Sequence, residues 1–165
     1  MNFQNIFNYQ NELDLLLHKK AIEINPNLCE KDIQNQKLIA LMVEVSEFAN
    51  EVQSFKYWKQ NKNIKLDLVL EEYADVIHFL VSFATSLNVE PVIEPKVFSA
   101  NLNIQFIQIF LGVAELMKTF NKENLLKVFE LVLGVSKIVN ITFEMIEESY
   151  LKKHQENYNR IINNY

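Results

Sequence analysis

The segment LIALMVEVSEFANEV, residues 38–52, decides the fold class because its apolar residues recur every three or four positions. These positions are Leu38, Leu41, Met42, Val45, Phe48, Ala49 and Val52. Such spacing places them on one stripe of an α-helix, where they can face a core. The segment therefore predicts a core-facing helix over residues 31–53.

The composition of the whole chain extends this prediction. Its 165 residues are 49% apolar and include only 2 glycines and 3 prolines. A sandwich or barrel of many short strands needs more turn-forming residues than that. We therefore expect a single all-α domain, residues 1–165, folded as a bundle of about five to six helices.

Prolines, asparagines and the polar segment KQNKNIK mark the expected ends of the other helices. The single-residue breaks are Pro26, Pro91, Pro95, Asn121 and Asn140. The helices predicted in addition to residues 31–53 span residues 3–22, 66–88, 99–121, 123–138 and 142–162.

Charge and hydropathy argue against two classes of partner. The net charge of −5 offers no overall basic field for holding nucleic acid, and no run approaches the roughly 18 uninterrupted apolar residues of a membrane-spanning helix. The first residues, MNFQNIFNYQNELDLL, lack the basic region and cleavage site of a signal peptide. We therefore expect a cytoplasmic protein whose single cysteine, Cys29, is a quiet structural thiol.

Two carboxylate pairs are the main candidates for a functional site. E44-V-S-E47 and E72-Y-A-D75 lie on the second and third predicted helices. The i, i+3 spacing sends both members of each pair from one face of a helical turn. Two such turns packed face to face would gather four like charges, which a hard divalent cation with oxygen ligands can stabilise. Magnesium is the expected ion.

The alternative is that these carboxylates are ordinary solvated groups. Glu72 argues against it, because it projects into an arc shared with Leu68, Phe79 and Phe83, and a carboxylate within an apolar surface should be paired or bound to a metal. Phe79 lies one turn after Asp75, so it could hold a base beside bound phosphates. Phe83 is expected to pack in the core.

A second alternative arises from D75-x-x-H78, which is similar to the carboxylate–histidine turn of di-iron helical bundles. That fold requires a second such turn. Neither His18 nor His154 provides one. A structural or hydrogen-bonding role therefore fits His78 better.

The last predicted helix carries a basic stripe. Lys153, Asn157 and Arg160 fall at i, i+4 and i+7 and so share one face. Two cations suit phosphate oxygens, and the amide can donate to or accept from a sugar hydroxyl. A solvated surface is the alternative interpretation of this stripe alone.

Together these segments resemble the dimeric dUTPases, a branch of the all-α nucleoside triphosphate pyrophosphatase superfamily that includes MazG-like enzymes. The hallmark is E-x-x-E followed by E-x-x-D, here after a spacer of 24 residues, 48–71. The similar segments are VEVSEFANEVQSFKYWK, LEEYADVIHFLVS, ITFEMIEESYLKKHQENYNRIINNY and the early Q10-N-E-L13-D14. Residues 97–140 match only as generic helix.

The resemblance implies a magnesium-dependent enzyme that hydrolyses dUTP to dUMP and pyrophosphate as a homodimer. Glu44, Glu47, Glu72 and Asp75 would coordinate magnesium, and one of the catalytic pair Glu44 and Glu47 would orient or deprotonate the attacking water.

The resemblance also implies substrate contacts, some of which can cross between subunits. Gln10 would read the uracil edge, Phe79 would stack on the ring, and His78 and Trp58 would shape that pocket. Asn157 would meet the deoxyribose. The phosphates would bind Lys153, Arg160 and Lys56.

The tail departs from the family pattern, and two other functions remain open. Lys153-His154 replaces K-N, and the end from Arg160 to Tyr165 replaces R-Q-x-x-G-Y. Because the amide of Gln10 can present a donor or an acceptor, the substrate can be dCTP or a noncanonical nucleotide instead. The remaining alternative is a non-catalytic helical protein with an oligomer surface at residues 99–138.

Overall fold

The computed structural model describes residues 1–163, and helices form the regular structure of that part. The helices are α1 Gln4–Ile24, α2 Glu30–Val52, α3 Leu66–Ser86, α4 Leu102–Lys118, α5 Lys122–Ile138 and α6 Phe143–Ile162. The all-α prediction is confirmed. Among the described residues, none of the helices combines the length and apolar character needed to cross a bilayer. Asn164 and Tyr165, which end the divergent tail, lie outside the described residues.

Local capping explains where the predicted boundaries shift. α1 runs to Ile24 instead of residue 22, stopping just before Asn25, because the residue that precedes a proline disfavours the helical conformation. α4 begins at Leu102 instead of residue 99, since the Asn101 side chain accepts from two backbone N–H groups of the first turn. It also ends at Lys118, before the predicted residue 121. Asn121 caps α5 in the same way.

Helix α3 lies at the centre of the bundle and packs against α1, α2, α5 and α6, while α4 packs against α2 and α5. The apolar side of α3 is almost entirely buried. Tyr73 stacks on Phe48 of α2 at 4.7 Å between ring centroids and donates to the Val132 carbonyl of α5 at 3.1 Å. These contacts fix the rotation of α3 and so determine where its polar stripe points.

The connection between α3 and α4 is held against the bundle by polar contacts. The backbone N–H of Lys96 donates to the Glu130 carbonyl of α5 at 2.8 Å. The fully buried Gln105 donates to the carbonyls of Lys96 and Leu131, and its own carbonyl accepts from backbone N–H groups of the connection. This close approach requires a glycine at position 134 of α5.

We predict that Gly134→Ala lowers the free energy of unfolding by about 3 kcal/mol, because a Cβ there would lie 2.0 Å from the Lys96 carbonyl oxygen and 2.7 Å from Gln105 Nε2. The matched control is Gly112→Ala, whose Cβ would meet only the Val128 side chain, at 3.1 Å. Urea unfolding followed by circular dichroism measures both. Equal stabilities for the two variants would contradict this packing.

Candidate metal centre and its clefts

Three of the four predicted metal ligands meet where α2 packs on α3. Glu44, Glu72 and Asp75 each offer a carboxylate oxygen, and these oxygens all lie within 4.8 Å of one another. The three residues are partly buried. Glu47 is exposed and outside this set, but its charge raises the pKa of both Glu44 and Glu72. Glu47 is therefore placed at the rim of the same cluster.

The electrostatics of the cluster reflect burial and repulsion. Burial raises the pKa of Glu44 from 4.5 to about 7, and the charges of Asp75, Glu47 and Glu72 add to the effect. Burial and the neighbouring carboxylates also raise the pKa of Glu72. A divalent cation would relieve both causes at once, because it replaces lost hydration and neutralises like charges. The donor set thus fits a hard cation.

Lys153 of α6 closes one side of the cluster. Its Nζ lies 2.7 Å from Asp75 Oδ2 and 3.2 Å from Glu71 Oε1, and its side chain is almost buried. Burial lowers the pKa of Lys153, but the hydrogen bonds and charges of Asp75 and Glu71 outweigh burial and raise it. The pKa of Asp75 stays above its ordinary value because burial outweighs Lys153. Lys153 is therefore a cation at neutral pH.

A cleft of about 530 Å³, here called the carboxylate cleft, opens beside this cluster. It is lined by Leu17, Lys20, Ala21, Ile24, Glu44, Asp75, Phe79, Lys153, Asn157, Arg160 and Ile161. The basic stripe of α6 therefore faces carboxylates and an aromatic ring. Arg160 donates to Asn157 Oδ1 at 3.4 Å, and its charge lowers the pKa of Asp75.

Gln10 and His78 lie in a buried polar network. Gln10 is only 3% exposed, and its Oε1 accepts from the Tyr150 hydroxyl and from His78 Nδ1, both at 2.8 Å. Its Nε2 donates to Asp14 Oδ1 at 2.9 Å. Burial, followed by the charge of His154, lowers the pKa of His78 to about 3, so its ring is neutral. These partners fix the orientation of the Gln10 amide.

The placement of His78 bears on the di-iron alternative. Its ring stacks on Tyr150 at 4.0 Å between centroids. Within residues 1–163, no histidine joins the set of carboxylates that could share a metal. The D75-x-x-H78 turn thus contributes its carboxylate, but not its imidazole, to this set.

Lys56 and Trp58 lie on the connection between α2 and α3 and do not line the carboxylate cleft. Lys56 Nζ donates to the Asn50 carbonyl at 2.9 Å. Trp58 is 61% exposed and makes edge contacts with Phe55 and Tyr57. Their roles in substrate binding stay predictions.

A second cleft, of about 620 Å³, lies between α1, α2 and α3 and is called the α1–α2 cleft. It shares Leu17, Ala21 and Phe79 with the carboxylate cleft. Its polar lining includes Asp14, Lys37 and Ser82, which form a connected group, and no sequence motif assigns a role to Lys37 or Ser82. The spacing of Lys37 from Glu44 could nevertheless have placed Lys37 near the site. Lys37 precedes Glu44 by two helical turns and so lies on the same face of α2.

A comparison with known protein families identifies the family of the chain. The chain matches the family model described as dUTPase over residues 2–165. The protein belongs to this dUTPase family. No curated protein matches the chain. The family match also covers residues 97–140, which the motifs leave as generic helix.

Membership of the dUTPase family establishes the chain as a hydrolase of the dUTP diphosphatase type with a nucleotide substrate. The family generally uses a divalent metal, and the cluster of Glu44, Glu72 and Asp75 is a suitable acidic site for one. The resemblance of the sequence motifs to this family is thereby confirmed.

We predict that the metal-free protein loses stability as pH rises. The pKa of Glu44 is higher in the folded chain than its ordinary 4.5, so this group's contribution is complete below 4.5 and is lost as pH rises through about 7. Glu44→Gln should therefore be about 1–2 kcal/mol more stable than the wild type at pH 8, a value reduced for solvent screening of a partly exposed group. The two proteins should converge near pH 4.5.

Chemical unfolding in a chelating buffer at several pH values measures this difference. Glu90→Gln, on the exposed connection after α3, is the matched control and should follow the wild type at every pH. If Glu44→Gln followed the wild type as well, burial and repulsion at the cluster would be refuted.

Proposed function

We propose that the protein hydrolyses dUTP to dUMP and pyrophosphate with Mg²⁺ as its cofactor. The observation that carries this proposal is that carboxylates and cationic side chains line the same cleft. Glu44 and Asp75 offer oxygen ligands for a cation, while Lys153 and Arg160 offer donors for phosphate oxygens. A metal-bound triphosphate carries the charges that such a cleft complements.

Glu44, Glu72 and Asp75, with Glu47 at the rim, are the proposed magnesium ligands. Magnesium usually binds to a few carboxylates and is completed by water and substrate phosphates, which suits this partly open set. When bound, it would neutralise phosphate charge and lower the pKa of a coordinated water. Either Glu44 or Glu47 orients or deprotonates the attacking water.

The remaining groups of the carboxylate cleft bind the substrate. Lys153, already held between Asp75 and Glu71, and Arg160 bind the phosphates and stabilise the pyrophosphate that leaves. Asn157 binds the deoxyribose, and Phe79 stacks on the base. No covalent nucleophile is needed, because water attacks phosphorus directly.

Four other residues contribute to the nucleotide site without lining the carboxylate cleft. Gln10 and His78 contribute to the base pocket from the buried network behind it. Lys56 and Trp58 lie outside both clefts of their own chain, so in a homodimer they would act at the site of the partner subunit.

We test the proposed reaction by incubating the purified protein with Mg²⁺ and each deoxynucleoside triphosphate. The expected products from dUTP are dUMP and pyrophosphate, and Glu72→Gln should lower kcat/KM by about 10²–10⁴-fold, since it weakens a charge-neutralising metal site. Glu147→Gln on α6 is the matched control and should keep the wild-type rate. Release of orthophosphate would place the protein in another reaction class.

Two outcomes separate the proposal from its alternatives. A higher kcat/KM for dCTP or a noncanonical triphosphate than for dUTP would establish the related enzyme. A non-catalytic helical protein predicts no activity and no response to ligands. The proposed enzyme should instead melt at a higher temperature with Mg²⁺ and a nonhydrolysable dUTP analogue, because a ligand that binds only the folded state stabilises it.

The proposal includes a cytoplasmic homodimer in which residues 1–165 act as one domain. Helix α4 carries an exposed apolar stripe of Ile104, Ile107 and Leu111, spaced three and four residues apart. A second copy of this chain is the proposed partner for that stripe.

We predict that the double variant Ile107→Glu, Leu111→Glu is a folded monomer, because two buried carboxylates on each side would repel across the interface. Sedimentation velocity measures the mass, and the wild type is expected at twice the monomer mass. Ile39→Glu, an equally exposed apolar site on α2, should remain dimeric. A monomeric wild type would refute the homodimer.

A further inference from the structure

The α1–α2 cleft contains charged groups to which the proposed reaction gives no task. It adjoins the carboxylate cleft through Phe79, and its volume lies within the range of about 300–1,000 Å³ typical of small-molecule sites. One stripe of α3 passes through both clefts, with Glu72 and Asp75 at one end, Phe79 between and Ser82 at the other. A nucleotide whose phosphates lie at the carboxylates can therefore extend its base past Phe79 into the α1–α2 cleft.

Gln10 is poorly placed to contact that base directly. Its amide is almost completely buried, and both of its polar atoms are engaged by Tyr150, His78 and Asp14. The side chains of Asp14 and Lys37 retain 23% and 30% exposure and line the cleft. Of the charged and amide groups in this network, Asp14 and Lys37, and not Gln10, present polar atoms to the cleft.

A chain of hydrogen bonds orients the two exposed groups. Lys37 Nζ donates to Ser82 Oγ, and Ser82 donates to Asp14 Oδ2. Gln10 Nε2 holds the other carboxylate oxygen, Asp14 Oδ1, which lies 3.7 Å from Lys37 Nζ. An ammonium group has three donors, and only one is used by Ser82. Lys37 therefore has donors left for a ligand beside a fixed carboxylate acceptor.

We propose that Lys37 determines the base specificity of the enzyme by donating to the 4-carbonyl of a pyrimidine that contacts Phe79, while Asp14 accepts from the neighbouring N3–H. Uracil presents this acceptor and donor side by side. Cytosine has an amino group at position 4, and an ammonium has no lone pair to accept from it. Gln10 then acts as a positioning residue that holds Asp14. This inference rests on the proposed function.

The test compares kcat/KM for dUTP and dCTP in the wild type and in Lys37→Met. Loss of a charged donor should lower the dUTP-to-dCTP ratio by about 10- to 100-fold, chiefly through dUTP. Lys37→Gln keeps hydrogen-bonding capacity near Ser82 but can also accept from an amino group, so its ratio should fall too. Lys127→Met, on the exposed face of α5 where Lys127 pairs with Glu123, should keep the wild-type ratio.

Calorimetric binding of nonhydrolysable dUTP and dCTP analogues provides a readout that does not depend on turnover. The same change in the ratio of dissociation constants is expected. Equal losses for both nucleotides, in both Lys37 variants, would give Lys37 a structural role and overturn the inference while leaving the reaction intact. A wild type that hydrolyses and binds neither nucleotide would instead refute the proposed function, and that result precedes any comparison with the variants.

Discussion

The crowding of like charges between α2 and α3 is the constraint on which the site depends. Glu44, Glu72 and Asp75 are held close together in a partly buried place, where desolvation raises the pKa of each. Such an arrangement costs folding free energy unless a cation compensates for it. Lys153 compensates in part through Asp75. The packing of three helices is thus tied to the chemistry of the cleft, since moving any one of them changes the balance of charge.

The packing of the hydrophobic core fixes the positions of these carboxylates. Helix α3 is anchored by Tyr73, which stacks on α2 and donates to α5, and by its nearly continuous buried face. With its rotation set, the stripe beside this buried face carries Glu72, Asp75 and Phe79 toward α1, α2 and α6. The core therefore determines the direction of the polar stripe, and the carboxylates need no separate scaffold.

The helices and the carboxylate pairs could be predicted from the sequence, because both depend on the spacing of residues within one segment of the chain. Helical periodicity and the breaks at Asn121 and Asn140 gave the right number of helices over the described residues, and the i, i+3 pairs gave three of the four carboxylates that were expected to meet. Contacts between residues of different helices could not be predicted from this spacing. Nothing in the sequence pattern says that Lys153 reaches Glu71, or that Gln10 is buried under Tyr150, because these pairs are separated by many residues and meet only after packing. Sequence motifs identify residue types, but not their partners.

Phe79 lies between the carboxylate cleft and the α1–α2 cleft and so separates their charged residues. The carboxylates and cations of the carboxylate cleft lie on one side of the ring, and the group formed by Asp14, Ser82 and Lys37 lies on the other. The two sides share apolar walls but no charged residue. Because Asp14 and Lys37 form an ion pair, replacing both with neutral residues alters hydrogen-bond complementarity but keeps the net charge, so the field at the carboxylates changes little. The proposed base preference can thus vary while the carboxylate cluster stays the same.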